Sequence, residues 1–146
     1  MFKNILVPIH LSYTKNHKKL FKGAFEVLNE DGKITLLFVN QNRTHGSVYP
    51  ILDDEKQINY DNDAMEQLKE IARVHSLPMD KVSFKIKDGT VHNEILEEAK
   101  KIKADAIVMM ATRPGLGSYF ISSTAERVIR HAHCSVFVIR LDDIKI

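Results

Sequence analysis

The chain has almost no cysteine: Cys134 is alone among 146 residues. An intramolecular disulfide is therefore excluded, packing must hold the fold, and a reducing compartment is expected. A strong charge of either sign is also missing, since 21 Lys and Arg stand against 19 Asp and Glu for a formal net charge of +2. That balance gives no general reason to expect a nucleic-acid partner. No apolar run is long enough to span a bilayer. The N-terminal "MFKNILVPI" falls far short of a span and lacks a small-residue cleavage site, so a cytoplasmic protein with no membrane partner is expected. Linkers, internal repeats and a second domain are equally absent. What remains is one domain over residues 1–146, whose 44% hydrophobic content supports a sizeable core.

What is present is an alternation of short apolar runs and helical patterns. "NILVPI" (4–9), "KITLLFVN" (33–40) and "ADAIVMM" (104–110) read as strands buried on both faces, and "CSVFVIR" (134–140) as a further strand. "KVSFKIK" (81–87) alternates apolar with polar, as an edge strand does. Between them, helical spacing appears at Leu20, Phe21, Ala24, Phe25 and Leu28, and again at Met65, Leu68, Ile71, Ala72 and His75. Two further stripes are Val91, Ile95, Ala99 and Ile102, and Ala125, Val128, Ile129 and Ala132. "EDGK" (30–33) reads as a turn, and the basic run "KNHKKLFK" (15–22) as the solvated face of the first helix. Polar sequence from Gln41 to about Gln57 is long for a compact domain, and such segments are usually functional or mobile.

Five strands separated by four helices require crossover connections, which favour a parallel sheet with helices on both faces. Ligands of such sheets sit beyond the carboxyl ends of the strands, where strand order reverses. The loops after the first strand (His10 to Thr14) and the fourth (Ala111 to Ile121) are therefore the places to search. The second lies within "MMATRPGLGSYFISSTAERV" (109–128), where Gly115 and Gly117 allow close backbone approach and Ser122 or Ser123 opens a helix whose first amides can hold an anion. Ser123 with Glu126 also has capping-box spacing, which leaves a phosphate cradle and a plain helix cap both open.

"FKNILVPIHLS", "GTVHNEILEEAKKIKADAIVMMATR" and "SSTAERVIRHAHCSVFVIR" together resemble the universal stress protein family nearly end to end. The resemblance, to a UspA-like domain, implies a single-domain α/β fold with a doubly wound five-stranded parallel sheet of order 3-2-1-4-5. It implies a stress-response or regulatory protein that binds adenine nucleotide, with ATP and Mg2+ as the expected ligands. By the same resemblance, Pro8, Ile9, His10 and Val39 would surround the nucleoside and Met110 would pack on the base. Ala111, Arg113, Gly117, Ser118, Ser122, Ser123 and Thr124 would lie around the phosphates.

The ATP-binding branch of that family carries Gly-x2-Gly-x9-Gly-Ser/Thr across this loop. Here Ala111, Pro114 and Ser122 replace the glycines, seven residues separate the last two positions, and Ser123 alone keeps the motif's identity. The shorter loop resembles the F- and G-type subgroup. His10 stands where the family often has an aspartate; imidazole can hydrogen-bond a nucleotide but cannot reproduce a carboxylate. Arg113 offers a planar fork suited to phosphate, or to a surface salt bridge. "HAHC" (131–134) straddles a helix end, so its three side chains are not expected to converge on a metal. Ser122, Ser123 and Thr124 have no histidine and carboxylate placed to activate them, so no catalytic residue is assigned and weak ATP hydrolysis is the most that is expected. A member that has lost nucleotide binding and acts as an interaction or structural protein is the alternative. The resemblance also implies a homodimer, built on the final strand from Ser135 to Arg140, where an exposed apolar edge would otherwise invite aggregation.

Overall fold

A computed structural model describes residues 1–11, 16–41, 54–111 and 121–140. In chain order the elements are β1 (Phe2–Pro8), α1 (His17–Val27), β2 (Leu28–Asn40), α2 (Asp54–Val74), β3 (Val82–Asp88), α3 (Val91–Lys101), β4 (Ala106–Met110), α4 (Ser123–His131) and β5 (Ser135–Ile139). All neighbouring strands pair in parallel, in the order β3-β2-β1-β4-β5. The topology is the one expected.

Alternation along the strands divides the core in two, because successive side chains point to opposite faces. Ile5, Val7, Ile34, Leu36 and Val108 pack with Leu20, Phe21 and Ala24 of α1 and Leu68 and Ala72 of α2. Leu6, Leu37, Val39, Ile107 and Met109 pack with Ile95 and Ala99 of α3 and Ala125 and Val128 of α4. The continuous apolar runs are thus strands covered on both sides. At the amino-terminal end of the sheet, the Asp105 carboxylate accepts from the amides of Lys3 and Asn4, at 3.0 and 2.9 Å, and fastens the start of β4 to β1.

Three local readings change. The turn residues 30–33 lie inside β2, because α1 passes directly into the strand at Leu28. Phe2 pairs with Leu28 and Asn4 with Lys33, so the irregularity absorbs the excess residues of β2 within the ladder. The α4 stripe narrows, since Ala125 and Val128 are fully buried while Ile129 is 45% exposed. Finally, the basic run is solvated only in part: Lys18 and Lys22 are exposed, but His17 retains 3% of its surface. Residues 42–53 of the long polar segment and 141–146 at the C-terminus lie outside the described residues.

Candidate functional site

The carboxyl ends of β1, β2 and β4 converge with the first turns of α1, α3 and α4 around a cavity of about 290 Å³. It lies at the switch point, since β1 leads through α1 to one side of the sheet and β4 through α4 to the other. Short backbone bonds set its rim. The amide of Ile9 donates to the carbonyl of Leu37 at 2.9 Å and holds the chain beyond β1 against β2. The amide of Ser122 donates to the carbonyl of Ala111 at 2.8 Å, which brings the start of α4 back to the end of β4. Gly89 braces the rim residue Asn40 from behind: its amide donates to the Asn40 carbonyl at 2.9 Å, and its φ of +148° is one that L side chains rarely adopt.

Of the residues expected around a nucleotide, Pro8, Ile9, His10, Val39, Met110, Ser122 and Thr124 all line this cavity. Ala111 is buried directly behind the rim, where its amide donates to the carbonyl of Ile139. Ser123 is exposed and does not line the cavity. Arg113, Gly117 and Ser118 lie outside the described residues, as do Pro114 and Gly115. The capping-box reading is corrected: Ser122, not Ser123, is the N-cap of α4, and its buried hydroxyl oxygen accepts from the amide of Ala125 at 3.1 Å. Glu126 is one position too late to close a box on Ser122, and instead pairs with Arg130 at 3.0 Å. Within the helix the amides of Ser123 and Thr124 have no acceptor, so the positive end of the α4 dipole meets the cavity.

Sequence reasoning missed the α1 wall. Asn16, His17 and Leu20 line the cavity from that side. His17 Nε2 lies 2.8 Å from the carbonyl oxygen of His10 and ties the first turn of α1 to the loop after β1. Its ring also packs near Phe21 and His75, at centroid distances of 5.9 and 6.0 Å. Burial, reinforced by the neighbouring His75, holds its pKa below the ordinary histidine value despite the bond to His10. A signal existed: counting back from Leu20, Phe21 and Ala24 at helical spacing puts position 17 on the same inward face. The charged neighbours hid it. Tyr60 of α2 and Val91 and Ile95 of α3 complete walls that no motif announced.

His131 and His133 are exposed beside the half-buried Cys134, whose thiol is pushed up by burial and by Asp105. Among the described residues no three His, Cys, Asp or Glu side chains gather as a metal site. Nor is any helix among them long and apolar enough to cross a membrane.

Sheet order and cavity position define a single-domain, doubly wound α/β protein with a pocket across its switch point. The model of the universal stress protein family matches residues 1–140, and the chain belongs to that family. It is 25% identical over 142 residues to universal stress protein G of Escherichia coli O157:H7, covering 96% of this chain and all of the relative. Among solved structures, the universal stress protein UspA from Lactobacillus plantarum superposes with a TM-score of 0.67 at 25% identity, over 94% of this chain and 97% of that one. A universal stress protein in complex with cAMP (TM-score 0.63, 12% identity, 94% and 96% covered) shares the fold. So does one from Archaeoglobus fulgidus in complex with dAMP (0.59, 16%, 93% and 96%).

Proposed function

We propose that this protein is a cytoplasmic stress-response regulator that binds adenine nucleotide, ATP with Mg2+ in the first instance, in the cavity at the switch point. The observation that carries the reading is the polarity of that cavity. Val39, Ile95 and Met109 offer an apolar slot for a base, while the N-terminus of α4, with Ser122 and Thr124, offers dipole and hydroxyls to phosphate. Arg113, Gly117, Ser118 and Ser123 are assigned to the phosphates by family resemblance, and the cAMP and dAMP complexes of two proteins of this fold support an adenine ligand. No residue is assigned to hydrolysis; the bound state would act by changing what the protein contacts.

The protein acts as a homodimer through β5 in the same proposal. β5 pairs with β4 on one side, and Val136, Phe137, Val138 and Ile139 are only half-buried. Isothermal titration with ATP and Mg2+, together with melting curves, tests the nucleotide reading. Binding and a ligand-dependent rise in Tm are expected; no heat and no stabilisation at millimolar ATP would leave the interaction-protein alternative standing.

A further inference from the structure

Along α2, Ala64, Leu68 and Ala72 recur at four-residue spacing and are fully buried, which marks the face of the helix turned toward the sheet. Tyr60 stands one turn earlier on the same stripe. Because β2 and β3 are parallel, α2 runs back from their carboxyl ends, so its early turns lie at the end of the sheet where the cavity opens. Helical side chains lean toward the helix N-terminus, which carries the Tyr60 side chain away from the core and over the cavity. Tyr60 lines that cavity while 41% of its surface stays accessible, so a molecule entering the cavity can reach it. Among the described residues no aromatic ring packs on it.

The two faces of the sheet decide which part of a ligand meets this ring. α1 and α2 cover one face, α3 and α4 the other. A molecule whose phosphate lies at the N-terminus of α4 therefore meets Tyr60 with its opposite end. We propose that Tyr60 is a specificity-determining residue of the cavity, whose ring packs on the base of a bound nucleotide. The inference rests on the nucleotide reading above. Val39, Ile95 and Met109 supply aliphatic and thioether surface from the α3 side, and Tyr60 supplies an aromatic surface from the α2 side. A phenol ring covers a flat heterocycle well and has few torsions to immobilise. The site so built favours nucleotides over free polyphosphates and sugar phosphates, which bring charge to α4 but no ring to Tyr60.

Titration calorimetry of the wild type, Tyr60→Ala and Tyr60→Phe with ATP and with inorganic tripolyphosphate tests this. Tyr60→Ala is expected to bind ATP about tenfold more weakly than the wild type and tripolyphosphate no differently, while Tyr60→Phe stays within about twofold of the wild type for both. A loss on Tyr60→Ala that is equal for the two ligands overturns the proposal, and so does a Tyr60→Phe as weak as Tyr60→Ala, which would assign the effect to the hydroxyl. A second readout uses unaltered protein. In NMR of wild type labelled on its tyrosine rings, the Tyr60 resonances, identified as those missing from Tyr60→Phe, should shift with ATP through the ring current of adenine and not with tripolyphosphate; unmoved resonances overturn the proposal equally. Wild type that binds ATP no better than Tyr60→Ala does removes the role of Tyr60 alone, whereas wild type that binds no ATP removes the nucleotide reading and this proposal with it.

Discussion

The hydroxyl oxygen of Ser122 accepts the amide hydrogen of Ala125 at 3.1 Å, which makes Ser122 the cap of α4 and leaves its neighbour Ser123 outside that role. The two serines should therefore separate cleanly. Ser122→Ala removes a buried cap and should cost about 1 kcal/mol, seen as a fall in Tm of about 3 °C by calorimetry. Ser123→Ala, at an exposed first-turn position, should leave Tm within about 1 °C and, if its hydroxyl meets phosphate, weaken ATP binding instead. A larger stability loss at Ser123 than at Ser122 would contradict the capping assignment.

Gly89 offers a backbone test. An added Cβ would sit 2.7 Å from Glu94 Oε1, and although that carboxylate can move, the φ of +148° remains strained for any L side chain. Gly89→Ala should therefore lose about 1–3 kcal/mol in urea unfolding. The amide of Gly89 anchors the cavity rim at Asn40, so ligand affinity should fall with it.

Acid should weaken the fold through His17. Burial first, and the neighbouring His75 after it, lower its folded pKa below 6.5, while the bond to His10 opposes the shift only partly. The unfolded chain then binds more protons than the native one in the window below pH 6.5. Stability rises with pH up to about 6.5 and is lost as pH falls through that window. Glu94 acts in the opposite sense, because burial and then Glu97 raise its folded pKa above 4.5, so its contribution declines as pH climbs past that value. Comparing urea midpoints at several pH values between wild type and His17→Gln isolates the histidine. The variant's profile should be flatter near pH 6, and identical slopes would count against the assignment.

The open side of β5 carries the oligomer prediction. The carbonyl of Ile139 accepts from Ala111 and so faces β4; backbone groups alternate along a strand, which turns the amide of Val138 toward the free edge. Val138→Pro removes that outward donor without touching the β4 ladder. Sedimentation at micromolar concentration should show a dimeric wild type and a monomeric variant. A monomeric wild type, or a dimer unmoved by proline, would dismiss the interface.

The amino-acid sequence by itself determined the strand and helix count and most of each helix's buried stripe, because apolar periodicity is a local property written into neighbouring residues; the doubly wound strand order was implied by the family resemblance. Pro8, Ile9, Val39, Met110 and Ser122, which the family resemblance puts around a nucleotide, do line the cavity, because they end strands or begin a helix and the topology carries such positions to one rim. Tertiary structure alone decided which serine caps α4, since the choice depends on where the chain turns back to Ala111. It also placed Tyr60, Val91 and Ile95 in the walls, from helices that no motif links to the strands they meet. His17 shows the division most sharply. Spacing could put it on the inward face, but only the fold sets His10 beside one ring nitrogen and leaves the other buried without a partner, because hydrogen bonds between distant turns depend on three-dimensional approach and not on sequence distance.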